Sequence, residues 1–470
     1  MTIQDQTEKR VYDLAILGGG TGGYVAAIRA AQLGLDVVLI EKNKVGGTCL
    51  HQGCIPSKAL LRTAEIYDQT LKSAQFGVET SSPTINWLKA LERKNVLVQT
   101  LFTGVQGLLK KNKVQLIEGK GKIIQDQGRL SVMVNDRQIQ ATHVIVATGS
   151  RPITRGLEID ERQIMTSDQA LERTSLPRSI IIVGGGAIGM EWASLYRDCG
   201  VEVTLIEALP RILATEDEEI SQEAYRQFVK RGVRILLDTR VDFNGVERRD
   251  HSVQVPVINA EGQTIQLSAE SMLLSIGRQP NVEDIGLEAF NLIRNHSFLK
   301  VNGLQQTSYA GVYAIGDVCG GSFAHVAAEQ GVIAVEHIAG LSPRSYNAHF
   351  IPRCIYSHPE ISSIGYSEQA AKEAGLEIKI GKFPFRGISK SLIYGEYEGF
   401  AKIITDLKSG KVIGAHVMGP HATDLISEPS VLLANGMNLS QWLQSIHPHP
   451  TLSEVFHEAG LAVMGKAIHI

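Results

Sequence analysis

Cys49 and Cys54 are the first residues in this chain whose type and spacing could do chemistry. They sit in Gly46-Gly47-Thr48-Cys49-Leu50-His51-Gln52-Gly53-Cys54-Ile55-Pro56-Ser57-Lys58, a glycine-rich frame with four residues between the thiols. Three kinds of chemistry compete. A metal site is poorly supported, because His51 alone does not complete four ligands and no second Cys/His pair lies nearby. Two packed thiols without a role is the plain alternative. A redox pair is the third, and it gains weight once an electron carrier binds alongside. In an ideal helix, residues five apart have Cα atoms about 8–9 Å apart, from a rise of ~1.5 Å per residue. A disulfide needs about 4.4–6.8 Å. A Cys49–Cys54 bond therefore predicts a distorted first turn across 49–54, with Gly46, Gly47 and Gly53 supplying the freedom. A place near a helix start would also favour the thiolate.

The elements that must position such a pair are written as a repeat. The apolar run Val11–Leu17 leads into Gly18-Gly19-Gly20-Thr21-Gly22-Gly23, a helical pattern through Ala30 to Gly34, and a second run Val37–Ile40 ending at Glu41. Ile180–Val183 leads in the same way into Gly184-Gly185-Gly186-Ala187-Ile188-Gly189, a helix to about Cys199, and Val203–Ile206 ending at Glu207. Each unit reads strand, G-x-G-x-x-G, helix, strand, acid. The first glycine makes the tight turn, the second lets backbone approach a pyrophosphate, and the third lets helix pack on strand. The phosphates meet the free N–H groups and positive end of the helix, and the acid accepts from ribose hydroxyls. Two dinucleotides are implied, one passing electrons to the other. Glu207 would repel a 2′-phosphate and favours NAD over NADP, an inference that the nearby Arg211 weakens.

The rest of the chain reads coarsely: a helical region over about Thr63 to Lys111, short strands over about Val114 to Val134, and strands entering turns at His143–Gly149, Met272–Asn281 and Gly311–Asp317. Beyond about Ala348 come strands (Phe400–Thr405, Val412–Val417) and then helices (Thr423–Ala434, Leu452–Met464). The 470 residues suffice for several cores. Lys and Arg number 46 against 49 Asp and Glu, so no strong field exists to hold nucleic acid or an anionic membrane. No apolar run reaches the ~18 residues of a membrane span. Met1 to Arg10 is polar and lacks the apolar segment of an export signal, so the expectation is a cytoplasmic α/β protein with reduced thiols.

The tandem glycine units, G-G-T-C-x₄-C-x-P-S-K, the Ala147-Thr148-Gly149 and Gly316-Asp317 segments, and His447-Pro448-His449-Pro450-Thr451-Leu452-Ser453-Glu454 resemble the pyridine nucleotide-disulfide oxidoreductases over about Val11 to Ile468. Within that family the chain is most similar to the dihydrolipoyl dehydrogenases, the E3 components of 2-oxo acid dehydrogenase complexes. Leu50-His51, Ile446–His449 and Gly465–His469 are most similar to E3 proteins serving branched-chain complexes. The resemblance implies an FAD-dependent enzyme that reoxidises protein-bound dihydrolipoyl groups with NAD+ through a Cys49–Cys54 redox disulfide. It implies two tandem Rossmann-like dinucleotide-binding domains, for FAD and NAD, plus an α+β C-terminal dimerisation domain. The expected boundaries are 1–150 for FAD, 151–275 for NAD, 276–347 for a central domain completing the FAD site, and 348–470 for the dimer interface.

Roles follow from the resemblance residue by residue. Cys49 would be the interchange thiol and Cys54 the thiol against the flavin; His449 would be the general base, supported by Glu454. Lys58 would sit at the reactive edge of the flavin, paired with Glu191. FAD contacts would come from Gly18, Gly20, Gly23, Glu41, Gly47, Thr48, Lys58, Gly121, Thr148, Gly149, Ser150, Asp317, Ala324 and His325. NAD contacts would come from Gly184, Gly186, Ala187, Ile188, Gly189, Glu207, Val241 and Gly277. Expected partners are a second copy of the chain, lipoyl domains and the E2 core, with no metal, nucleic acid or membrane. Some positions depart from the pattern: Ala187 stands where relatives often carry a bulkier residue over the nicotinamide pocket, and Thr21 where many have Pro or Ala. Cys319 reads as a packed thiol, His447 as structural, and Arg353-Cys354 has no assigned role. Among rivals on the same scaffold, a glutathione-type reductase using NADPH is opposed by Glu207. A mercuric reductase needs a C-terminal cysteine pair that Gly465–Ile470 lacks, and a non-catalytic subunit would not need the intact Cys49, Cys54, Lys58, His449 and Glu454.

Overall fold

The computed structural model describes residues 10–321 and 323–469; Met1–Lys9, on which the expectation of no export signal largely rests, lies outside them. The chain divides into two compact units, Met1–Ser57 with Glu92–Ile153 and Gly277–Asn347, and Lys58–Leu91 with Thr154–Ile276 and Ala348–Ile470.

The first unit is built on a seven-stranded sheet. Its order is Gln115–Glu118, Val37–Glu41, Val11–Leu17, Arg137–Val146, Arg129–Val134 and Lys122–Asp126, with Val312–Ala314 also pairing with Arg137–Val146. The strands beside Val11–Leu17 run parallel to it, and the far edge is an antiparallel meander. Val37–Glu41 is buried along its whole length, as its unbroken apolar run demands of a parallel strand covered on both faces. The helix Thr21–Gln32 packs on Ala324–Ile338. Glycine permits the approach: a Cβ on Gly22 would come within 2.9 Å of the Ala327 carbonyl oxygen, and one on Gly331 within 2.8 Å of the Gly22 oxygen.

The second unit repeats the scheme with a five-stranded parallel sheet, Arg234–Leu236, Glu202–Ile206, Ser179–Val183, Ser271–Leu274 and Ile164–Thr166. A small antiparallel sheet centred on Ser252–Ile258 follows. A C-terminal antiparallel sheet runs Arg353–Ile355, Glu360–Gly365, Val412–Gly419, Phe400–Asp406, Ile378–Pro384, and the helix Glu454–Val463 packs on its last strand.

Local differences from the expected elements have physical causes. The helical region 63–111 is two helices, Cys54–Leu71 and Trp87–Lys111, parted by a stretch containing Gly77 and Pro83. The helix expected over Thr423–Ala434 is divided into Ala422–Leu425 and Ser427–Asn435. Pro429 has no N–H to donate to the Leu425 carbonyl, so the ladder is interrupted there and the proline sits in the first turn of the second helix. Among the described residues no helix is long and apolar enough to cross a membrane.

Candidate active site

The first cradle turns at Gly18, whose φ of +104° places it where a side chain is strained and where a Cβ would strike the Ala147 carbonyl. Gly23 lies against the Gly18 carbonyl with no room for a methyl group. Gly20, by contrast, looks out on open space: a Cβ there would meet only Gly47 Cα, at 3.9 Å. Gly20 is also the N-cap of the helix Thr21–Gln32, and no side chain caps that end. Bare backbone N–H groups, a positive helix end and an unfilled space suit a pyrophosphate. Glu41 closes the turn, one carboxylate oxygen accepting from Gly19 N–H at 2.6 Å and the other from Asn43 N–H at 2.8 Å. Gly121 is a close approach, where a Cβ would lie 3.2 Å from Ile40 and Val132 side chains.

The cysteine segment is fastened to this same turn. Gly46 N–H donates to the Gly19 carbonyl at 2.8 Å, Gly46 bridges Gly20, and a Cβ on Gly47 would come within 2.6 Å of Gly20 Cα. From that junction Gly47 and Thr48 begin the short helix Gly47–Gln52, which holds Cys49 in its first turn. Gly53 breaks the helix with φ −145° and ψ −113°, and Cys54 opens the eighteen-residue helix Cys54–Leu71. Cys49 and Cys54 form a disulfide with Cα atoms 4.6 Å apart. The distortion required by geometry is thus a break at Gly53, and the two thiols occupy successive helix starts. His51 Nε2 donates to the Val45 carbonyl at 2.9 Å, and the ring packs edge-on against Phe102. The remaining cysteines are poorly suited to redox work: burial pushes Cys199 and Cys319 up to about 12, and raises Cys354.

A second group in the same unit surrounds Asp317. Ser150 Oγ donates to Asp317 Oδ2 at 2.5 Å, and Arg278 Nε donates to Ser150 Oγ at 2.7 Å. Thr148 Oγ1 donates to the Asn281 carbonyl at 2.7 Å, and Asn281 N–H to that of Gly149 at 2.9 Å. Ala324 and His325 open a fifteen-residue helix whose N-cap residue, Phe323, offers no side-chain cap. Gly277 belongs to this unit, next to Arg278–Pro280, which pairs with Ser150–Pro152.

In the second unit the cradle is reproduced. Gly184 has φ +105° beside the Ser275 carbonyl, Gly189 abuts the Gly184 carbonyl, and Gly186 faces open space at the uncapped start of the helix Ala187–Asp198. Ala187 and Ile188 form the first turn. Glu207 accepts from Gly185 N–H at 2.6 Å and Leu209 N–H at 2.9 Å. The Arg211 guanidinium is committed to its own loop, donating to the Glu216 and Ala214 carbonyls at 3.0 and 2.7 Å. Val241 pairs with Val257 in the small antiparallel sheet. One turn on from the cradle, Glu191 receives both oxygens' worth of hydrogen bonds from Lys58 Nζ, at 2.9 and 2.7 Å.

The C-terminal part carries the dyad. His449 Nδ1 and Glu454 Oε1 are 2.9 Å apart, and Glu454 Oε2 accepts from Thr451 N–H at 2.8 Å. A carboxylate at Nδ1 holds the proton there and leaves Nε2 as the base; the ring is 68% exposed. His447, read as structural, bonds to Glu428 at 2.8 Å within a packed region. Arg353, left without a role, pairs with buried Glu216 at 3.0 Å. Reasoning from the sequence missed Arg278, Gln330, whose Oε1 accepts from Gly316 N–H at 2.7 Å, and Tyr356, whose N–H donates to Glu191 at 3.0 Å. The partners of Arg278 and Tyr356 lie more than a hundred residues away, so no local spacing signals them.

Two glycine cradles, one of them joined to a disulfide, define a nucleotide-dependent disulfide oxidoreductase. Residues 12–331 match the pyridine nucleotide-disulphide oxidoreductase family and residues 351–460 its dimerisation domain. The chain belongs to this family. The dihydrolipoyl dehydrogenase of Bacillus subtilis (strain 168) is 49% identical, the match covering 97% of this chain and 99% of that one. The dihydrolipoyl dehydrogenase of Zymomonas mobilis is 38% identical with the same coverage. Among solved structures, LpdA from Mycobacterium tuberculosis superposes with a TM-score of 0.88 at 27% identity, covering 96% of this chain and 99% of its own. The HOCl-induced flavoprotein disulfide reductase RclA from Escherichia coli gives 0.83 at 25%, again covering 96% and 99%.

Proposed function

We propose that this protein is a dihydrolipoyl dehydrogenase, reoxidising the dihydrolipoyl groups of 2-oxo acid dehydrogenase complexes, the branched-chain complex among them, with NAD+. The observation that carries the reading is the Cys49–Cys54 disulfide fastened by Gly46 and Gly47 to the first glycine cradle. FAD fits that cradle, because Gly20 leaves the phosphate space open and Glu41 stands where a ribose would bond. Contacts from Gly18, Gly23, Thr48, Gly121, Thr148, Gly149, Ser150, Asp317, Ala324 and His325 would complete its hold. The second cradle takes NAD+ through Gly184, Gly186, Ala187, Ile188, Gly189, Glu207, Val241 and Gly277. Arg211, tied to its own carbonyls, is not free to meet a 2′-phosphate, which supports NAD over NADP.

A dihydrolipoyl thiolate attacks Cys49 Sγ, the Cys49–Cys54 bond breaks, and Cys54 leaves as the thiolate. His449 Nε2, contributed by the other copy of the homodimer, takes the proton of this attacking thiol while Glu454 holds the proton at Nδ1, and the second dihydrolipoyl thiol then attacks, leaving its proton on Cys49. That sulfur displaces Cys49, closing the lipoyl disulfide and leaving both cysteines reduced. Two electrons have then passed from substrate to protein. Bound FAD supplies the two-electron carrier that delivers them to NAD+. The Lys58 ammonium, fixed by Glu191, provides positive charge at the flavin edge.

The enzyme acts as a homodimer, meets lipoyl domains and an E2 core, and works in the cytoplasm. Its domains are 1–150, 151–275, 276–347 and 348–470; the chain changes from one compact unit to the other after Ile153, Ile276 and Asn347, near three of these limits, and also after Ser57 and Leu91. The deciding experiment assays purified protein with dihydrolipoamide and NAD+, with dihydrolipoamide and NADP+, and with glutathione disulfide and NADPH. Turnover in the first is expected; turnover only in the last overturns the proposal.

A further inference from the structure

Tyr356 touches both members of the Lys58–Glu191 pair. Its backbone N–H donates to Glu191 Oε1 at 3.0 Å, and the Lys58 ammonium lies 4.6 Å from the centre of its ring. The placement is fixed from two sides. Tyr356 directly follows the strand Arg353–Ile355, where Cys354 is in register with Ser362. Two residues further on, His358 N–H donates to Ser194 Oγ at 2.8 Å. Glu191 and Ser194 are three apart on the helix Ala187–Asp198 and therefore share a face, so the segment 356–358 lies along that face. Burial pushes the Tyr356 hydroxyl up to about 12, aided by the nearby Cys354, Glu360, Glu191 and Asp424. The ring therefore stays a neutral phenol throughout the neutral range.

Lys58 is a long side chain with many rotamers, and the carboxylate alone fixes only its tip. An aromatic face adds a directional attraction worth about 0.5–2 kcal/mol. We propose that Tyr356 is a positioning residue whose ring holds the Lys58 ammonium where it acts on bound flavin. The inference deepens the reading above and rests on it, since it takes FAD to lie against Lys58.

The test uses the holoenzyme and four variants. Tyr356→Leu and Tyr356→Met keep bulk and the backbone bond to Glu191 but remove the aromatic face. Tyr356→Phe keeps the face, and Lys58→Met removes the cation. Flavin content, the visible flavin absorbance during anaerobic titration with dihydrolipoamide, kcat and KM are measured for each. The Leu and Met variants are expected to bind flavin fully, with a displaced absorbance band and kcat lower by about three- to tenfold at unchanged KM for dihydrolipoamide, the scale of one cation–π contact. Tyr356→Phe should recover both readouts. Wild-type absorbance and kcat in whichever of the Leu and Met variants folds, or a Phe variant as impaired as they are, overturns the proposal. If Lys58→Met leaves the flavin band unmoved, the placement of FAD against Lys58 is wrong, and the role of Tyr356 falls with it.

Discussion

The two glycine cradles are near copies, yet the chain leaving each one does different work. Both turn through a glycine at φ near +105°, both leave the third glycine of the turn bare, and both close with a glutamate 2.6 Å from a turn N–H. After Glu41 the backbone doubles back onto the turn at Gly46 and Gly47 and presents two sulfurs. After Glu207 it makes a loop of structural polar contacts: Arg211 on its own carbonyls, Glu216 on Arg353 and Ser363, and Asp217 on the fully buried Lys402. Lys402 also meets Glu219 and Glu368, each at 2.8 Å. A nucleotide cradle is thus a mount, and the reaction is decided by what the following loop carries.

Cys49→Ser should separate the two cradles most strongly. Dihydrolipoamide turnover should fall to background while flavin content and NADH-dependent flavin bleaching persist, because only the first loop is altered. Retained turnover would remove Cys49 from the interchange role. Next comes the anchor of the second loop. Lys402→Met leaves Asp217, Glu219 and Glu368 without their shared cation, and is expected to lower stability by about 3–5 kcal/mol in urea unfolding, as for other broken buried pairs; a loss under 1 kcal/mol would mean that the loop is held by something else. A smaller effect, equal in kind for both cradles, is expected from Gly184→Ala and Gly18→Ala. Each forces a side chain into a positive-φ position at about 1–3 kcal/mol, with a clash against a carbonyl added. Loss of thermal stability in only one of them would show the copies to be unequal.

The smallest effect concerns acid. Arg151 holds the Glu283 carboxyl down to about 2, from its ordinary value near 4.5. A carboxyl depressed in the folded state contributes stability that is present above pH ~4.5 and lost as pH falls through 4.5 toward 2. Both groups are largely exposed, so the contribution is small. Arg151→Gln should reduce the difference in stability between pH 5 and pH 3 slightly, with no change between pH 6 and 8.

What could be read from the chain alone follows the same division. The cradles were legible because a turn, a helix start and an acid all fall within one short stretch, Gly18 to Glu41 and Gly184 to Glu207, and glycine at Gly18 or Gly184 has no substitute. Helix dimensions required a distortion across 49–54, but not its form, a break between two helices at Gly53. The roles of His449 and Glu454 came from family resemblance, to which their nearness in sequence added weight. The Lys58–Glu191 pair came only through family resemblance, since its members are 133 residues apart. Arg278, Tyr356 and Lys402 had no such guide, each being defined by a partner more than a hundred residues away, and Gln330 meets a turn N–H at Gly316 that no spacing marks. The division of Thr423–Ala434 was missed for a different reason, because its apolar spacing outweighed one proline whose position mattered more.

The Gly19–Gly20 and Gly46–Gly47 backbones are hydrogen-bonded to each other with no side chain between them. Whatever dinucleotide rests on that bend therefore rides on the same rigid platform as the sulfur pair, and thermal jostling displaces the two together.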